Sequence, residues 1–301
     1  MRSTITFLIL WSLSLQLNGQ SLPPEAATER TALLNSFKLV SRSDFEQGQR
    51  LLQDASAIAA RYEATALLVE DSIKLALLYG GHRQVAQGRA LLDRLAQMPI
   101  LQEQEHLKLL RFKALGDLSI RDRKYDDALR YYDTIFHFDT SLIEIETVLL
   151  NRSLLYIFDD EFSKALTDLR YIEPRYAAKQ DYTNLSIVYS RLGEILDESR
   201  DYDAAFKYYK KIPELEGIPP ALKMSAYYRL GGLYKRLGND SVFYYYWQVL
   251  ANPKLVSKSV YNKTLGSMCS TYLTLEEADS VRYYCDLFEA DCAANKVENS
   301  S

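Results

Sequence analysis

Between about Glu25 and Leu287, apolar residues return every three or four positions in blocks of 12–18, and no run sustains a two-residue alternation. That spacing lines one face of a helix, so the pattern predicts helices throughout. In "LVEDSIKLALLY" (68–79), Leu68, Ile73, Leu77 and Leu78 share such a face. Beyond Pro23 and Pro24, the prolines are Pro99, Pro174, Pro213, Pro219, Pro220 and Pro253, each placed just after a block. Proline lacks the N–H and clashes with the preceding turn, so these positions read as gaps between helices. The chain reads as a series of helical hairpins.

A longer period lies over the short one. "RKYDDALRYYD" (123–133) returns as "SRDYDAAFKYYK" (199–210) and in part as "NDSVFYYYWQV" (239–249). Small or short residues on successive second helices are expected at Gly48, Ala86, Ala128, Ala165, Ala205, Val242 and Val281, spaced 38, 42, 37, 40, 37 and 39 residues apart. A near-constant interval of that size marks stacked helix-pair repeats. Gly116, Ser153 and Gly193 each precede the small residue of their own unit by 12, which predicts a close helix crossing between small residues. Tyr132, Tyr209 and Tyr246 follow one turn on, where a ring can fill the wedge. Tyr125 and Asp126 are expected to close the turn of their hairpin.

These residues resemble the tetratricopeptide repeat, whose pattern is aromatic-x2-Leu-Gly-x2-Tyr followed by Ala-x3-aromatic. "YYRLGGLY" supplies Tyr227, Leu230, Gly231 and Tyr234. "FKALGDLS" supplies Phe112, Leu115 and Gly116, and "YSRLGEIL" supplies Tyr189, Leu192 and Gly193. Ala128/Tyr132 and Ala205/Tyr209 meet the second half. The departures are Val242 in place of Ala, Asn262 in place of an aromatic with a longer turn before Val281, and Ser36 and Lys74 in place of Gly. The resemblance implies an all-α fold, an α-solenoid or right-handed superhelix of about seven antiparallel helix pairs over residues 27–290. It also places Cys269 at the second tyrosine of a first helix and Cys285 at the aromatic of a second helix. Both then face into the last hairpin, either as buried thiols or as a bridge; Cys292 makes the count odd.

The ends add a destination. Arg2 precedes an apolar stretch from Ile5 to Leu17 that gives way to small and polar residues, the order of charge and hydropathy in a secretory signal. The organisation expected is a signal peptide at 1–19, a linker at 20–26, repeats at 27–290 and a polar tail at 291–301. No other segment approaches the ~20 apolar residues a bilayer span needs. An exported chain, periplasmic or secreted, with no integral span after processing, is therefore expected. Lys and Arg total 36 against 40 Asp and Glu, a net charge of −4 with no basic run, which disfavours nucleic acid as a partner. Five N-x-[ST] sites, at Asn151, Asn184, Asn239, Asn262 and Asn299, several inside predicted helices, read as chance.

Signs of catalysis are sparse. His82, His106 and His137 lie in different units without metal-ligand spacing, and the phosphate-loop, dinucleotide and nucleophile-elbow patterns are absent. "DDE" (159–161) and "EILDE" (194–198) read as solvated carboxylates. No catalytic residue, metal or cofactor is expected, and the chain is not expected to be an enzyme. Tyrosine is abundant, at 23 copies, and often doubled; the second of most pairs is expected to be structural filling and its neighbour half exposed, with Tyr228, on a first helix, set apart.

First helices of the tetratricopeptide family line the concave face. By register the resemblance implies a groove drawn from Lys113, Asp117 and Ile120, then Leu150, Leu154 and Ile157. Ser190, Glu194 and Asp197 follow, then Tyr228, Gly232 and Lys235. Leu154, Ile157 and Tyr228 would anchor a partner, and Glu194, Asp197 and Lys235 would set selectivity. The function implied is an exported interaction scaffold for a peptide or a partner helix. The second reading is an envelope sensor or solute-binding module taking a small molecule or glycan in a tyrosine-rich groove. An unsealed end would favour a homodimer.

Overall fold

The structure, a computed structural model, describes the backbone of residues 22–298 and the side chains of residues 22–290. The expected signal peptide and the first two residues of the expected linker lie outside the described residues. Among those residues the chain forms fifteen α-helices, two short 3-10 turns and no strand. In order they are α1 (Pro24–Val40), α2 (Phe45–Arg61), α3 (Thr65–Gly81), α4 (Val85–Leu95), the single turn α5 (Ile100–Glu103), α6 (Glu105–Arg121), α7 (Tyr125–Ile135) and α8 (Ile145–Phe158). Then come α9 (Phe162–Ala178), α10 (Tyr182–Glu198), α11 (Tyr202–Glu214), α12 (Pro220–Arg236), α13 (Ser241–Leu250), α14 (Lys258–Thr274) and α15 (Ala278–Glu298). α1 begins inside the expected linker, and α15 carries helix into the expected tail.

The chain divides into two compact units, the first ending at Leu155 and the second beginning at Tyr156. In the first, the pairs α1/α2, α3/α4 and α6/α7 pack face to face, and α3 also packs against α2 and α6. In the second, the pairs are α10/α11, α12/α13 and α14/α15, with α12 packed against α10, α11 and α14. Each pair leaves an apolar face for the next. Val69, Ala76, Leu92, Leu107, Leu115 and Leu118 form one continuous core in the first unit. Ala205, Tyr209, Ile212, Ala226, Leu230 and Leu233 do so in the second. Full burial of each such aliphatic side chain is worth roughly 1.5–3 kcal/mol.

The turns follow one recipe that the sequence conceals. A residue with positive φ ends the first helix of most pairs: Arg83, Arg123, Asp160, Arg200, Gly238 and Glu276, while Glu63 and Gln180 do the same between pairs. The Arg123 N–H donates to the Ile120 carbonyl at 3.0 Å and the Lys124 N–H to that of Ser119 at 2.9 Å. This double bond is the Schellman ending, which usually recruits glycine. Arg123, not Tyr125 or Asp126, therefore closes the α6–α7 turn; Tyr125 is the first residue of α7. Asp181 and Asp201 cap the next helices by accepting from Asn184 N and Ala204 N, each at 3.1 Å.

Three further expectations are corrected. Pro174 and Pro213 lie inside α9 and α11 rather than beyond them; each helix continues past its proline, giving up one backbone bond. Ala86 is exposed, and the small residue at the α3/α4 crossing is Gly88. A Cβ on Gly88 would run into the backbone carbonyl of Ala76, so only glycine fits. At Gly116, Gly193 and Gly231 the neighbour filling the notch is a tyrosine ring rather than a second small residue. A Cβ at Gly193 or Gly231 would stand 2.5 Å from a ring carbon of Tyr209 or Tyr246, and one at Gly116 would overlap Tyr132. The tyrosine rings interlock with their own partner helices.

The last pair shifts the expected register. Gly266 is exposed with open space around it. The α14–α15 turn has three residues, like that of α6–α7, not a longer loop. Cys269 thus takes the notch position, 12 residues before Val281, as Gly116 stands before Ala128. It is bonded to Cys285, with the two Cα atoms 6.2 Å apart.

Candidate functional site

The Gly–Tyr packing delivers a hydroxyl to the first-helix side of the α6/α7, α10/α11 and α12/α13 pairs. In the first unit Tyr132 is fully buried, and its OH donates to Asp117 Oδ1 at 2.6 Å. Asn151 Nδ2, from α8, donates to the same oxygen at 3.0 Å, and Lys113 Nζ approaches Asp117 Oδ2 at 3.1 Å. Burial, and after it the Asp117 carboxylate, push the Tyr132 hydroxyl far above its ordinary pKa and keep it a donor. The carboxylate is thus held by three donors from three helices. Lys113 and Asp117 each retain a minor exposed fraction, 22% and 16% of their side chains.

The second unit repeats the packing with different chemistry. Tyr209 is buried against Gly193, and Arg229 Nη1 of α12 donates to its OH at 3.4 Å while Arg229 Nη2 reaches Glu194 Oε2 at 3.1 Å. Burial pushes the Tyr209 hydroxyl up to about 12, with Arg229 pulling the other way. Burial also works against the Arg229 charge, but Tyr209 and Glu194 outweigh it and the guanidinium pKa is raised. Arg236 pairs with Asp197. Lys235 bonds Ser270 Oγ and approaches the Ser267 carbonyl at 3.5 Å, and its pKa is lowered by burial. Arg191 is lowered to about 10 by burial, offset in part by Glu194.

The groove residues named from the sequence therefore divide. Asp117 and Lys113 meet on α6 and join α8 through Asn151. Glu194, Asp197 and Lys235 each reach the next first helix and tie adjacent repeats together. Leu150 is corrected: it is 6% exposed and belongs to the core, because its face of α8 turns inward. Ile120 is half-buried on the cluster around Ala128 and Ile135, so little of it is offered outward. Leu154 and Ile157 are half-buried on α8, each within its own unit. Tyr228 packs on Val242 and Met268, with its ring 6.1 Å from that of Tyr246. Asn151, Arg229, Arg236 and Ser270 were missed. Asn151 and Arg229 stand two residues before Ser153 and Gly231, and a polar residue at that offset was the available signal.

The tyrosine pairs follow the expected division at three places: Tyr132, Tyr209 and Tyr246 are buried, and Tyr131, Tyr208 and Tyr245 are partly exposed. Tyr208 borders an open concavity of about 390 Å³ on α11, lined also by Lys207, Lys210, Lys211 and Glu214. Lys211 lies over the rings of Tyr189 and Tyr208, 4.7 and 4.9 Å from their centroids. The concavity is wide, with three lysines and Tyr208 among its lining residues.

No group of three His, Cys, Asp or Glu that could hold a metal occurs among the described residues. His82 Nε2 bonds the Ser41 carbonyl at 2.9 Å, His106 lies 3.7 Å from Glu70, and His137 is exposed. Asp159 and Asp160 are exposed in the α8–α9 turn. No helix among the described residues is long and apolar enough to cross a membrane.

No family model matches the chain, and no curated protein matches it. Solved structures do. The apo form of the quorum sensor NprR from B. thuringiensis is similar with a TM-score of 0.72 at 17% identity, over 89% of this chain and 76% of that one. NprR in complex with its cognate peptide NprX gives 0.61 at 16% identity, over 90% and 81%. The protein is thus an all-α helical-repeat protein with a tetratricopeptide-like fold. At that level of identity the likeness concerns the fold.

Proposed function

We propose that the protein is a peptide-binding or partner-binding scaffold that works by recognition rather than catalysis. The observation that carries this reading is the fold likeness, over nine-tenths of the chain, to a sensor whose structure includes its cognate peptide. The first helices support it by presenting polar groups beside half-buried apolar ones: Lys113, Asp117 and Leu154 in the first unit, and Glu194, Lys235 and Tyr228 in the second. A bound peptide would take affinity from the apolar contacts and selectivity from the charges. We place the protein outside the cytoplasm, on the order of charge and hydropathy in its first residues; the Cys269–Cys285 bridge suits an oxidising compartment.

The test is affinity capture from the native host with purified bait, comparing wild type with Leu154→Asp, with Lys113→Glu and with Tyr171→Asp on α9, a second helix. Capture should fall at least roughly ten-fold, about 1.4 kcal/mol, for the first two variants and persist for the third. Equal capture by all four baits of matched helicity would remove the first-helix site. A thermal shift with sugars, and no protein captured, would favour a solute-binding module.

A further inference from the structure

In the α14/α15 pair a covalent bond stands where a glycine–tyrosine packing does the work in the α6/α7, α10/α11 and α12/α13 pairs. Gly116/Tyr132 and Gly193/Tyr209 are 16 residues apart, and so are Cys269 and Cys285. The Cys269 sulfur also lies 3.8 Å from the Val281 carbonyl, which puts it at the crossing of α14 and α15. The position seven residues beyond the second-helix small residue is buried in earlier repeats, as Ile135, Ile212 and Val249. In α15 that position is Phe288, 38% exposed. None of the described side chains of α15 is buried; Tyr284 stacks on Tyr272 at 5.4 Å, and Tyr283 and Leu287 face outward.

We propose that the Cys269–Cys285 bond is a redox latch on α15. Oxidised, it docks α15 on α14 in place of a Gly–Tyr lock. A dithiol adds two electrons and two protons to the bridge, giving two thiols while the dithiol closes to its own disulfide. With the bond gone, the described side chains of α15 keep Tyr284 against Tyr272 and the Val242–Met268 core, and the flank of Val281, none of them buried; α15 then opens, uncovering Tyr272 and the Cys269 face of α14. Both cysteines are half-buried, within reach of a small thiol. Crosslinking residues this far apart is of the order that decides local opening.

Hydrogen exchange on the whole chain tests it, in a Cys292→Ser background that prevents thiol shuffling. On adding dithiothreitol, amides of α15 should exchange roughly a hundred-fold faster, which is about 2.8 kcal/mol at 1.4 per decade, while α10–α13 hold their protection. A second variant, Cys269→Gly with Cys285→Tyr, installs the lock used by α6/α7 and α10/α11 and should keep α15 protected in both buffers. Protection that survives reduction, or a Gly–Tyr variant whose α15 stays open in both buffers, overturns the proposal.

Discussion

Tyr132 and Tyr209 sit in the same packing and face opposite charges. Each ring fills a glycine notch 16 residues upstream, and each hydroxyl ends beside an acid one residue after that glycine. Around Tyr132 the acid is Asp117, and the next first helix contributes the neutral Asn151, so the hydroxyl donates to a carboxylate. Around Tyr209 the acid is Glu194, and the next helix contributes Arg229, so the hydroxyl accepts from a cation. The difference teaches that the repeat constrains the ring and leaves its polar end open to change. Shape is shared between the two nodes, and chemistry is where they diverge.

The largest effect should come from filling the notch itself. Gly116→Val or Gly193→Val should each cost about 3 kcal/mol in urea unfolding, since the ring behind the new side chain is buried and cannot retreat. The α3/α4 pair, with Ala76 and Leu92 at the equivalent positions, shows how the array tolerates a larger notch residue. Gly193→Ala with Tyr209→Leu should therefore recover stability beyond the sum of the single changes. Strict additivity would contradict the node.

A smaller and asymmetric effect should separate the two polar ends. Arg229→Met strips Glu194 of its guanidinium and Tyr209 of its donor, which should cost about 1–3 kcal/mol. Asn151→Ala leaves Asp117 with Tyr132 and Lys113, so its cost should stay near 0.5–1 kcal/mol. Equal costs in matched denaturation curves would show that the two nodes are electrostatically alike.

The smallest effect is in pH. The Tyr209 hydroxyl in the folded chain is pushed up to about 12, whereas in the unfolded chain tyrosine ionises near 10. Between those values the unfolded chain gives up its proton first, so stability is complete below pH 10 and declines above it. By pH 11 the Tyr209 contribution should be roughly 1 kcal/mol, and Tyr209→Phe should remove that part of the slope. Tyr132 is raised as well, so Tyr132→Phe should also flatten the curve. An unchanged slope in both variants would discount the buried hydroxyls.

Helices and their period were legible because apolar spacing and glycine notches are local signals. Gly116, Gly193 and Gly231 could be read directly, since their partners Tyr132, Tyr209 and Tyr246 follow at near-constant offsets. The turns were not legible, because Arg123 and Arg200 occupy the left-handed position that glycine usually marks. Gly88 was missed because Ala86 mimics the expected residue two positions away. The last register was missed because Cys269 is a notch residue of an unexpected kind. The polar ladder was half visible: Asp117 and Glu194 lie at groove positions, but their partners Asn151 and Arg229 come from another repeat, and pairing across 34 or 35 residues is set by tertiary packing.

The most direct test of the functional account is hydrogen exchange of the whole protein with and without its captured peptide or partner. Protection gained on α6 and α8, or on α10 and α12, around Lys113, Asp117, Glu194 and Tyr228, is the result predicted. Protection confined to α7, α9, α11 and α13, with the first helices unchanged, would contradict it.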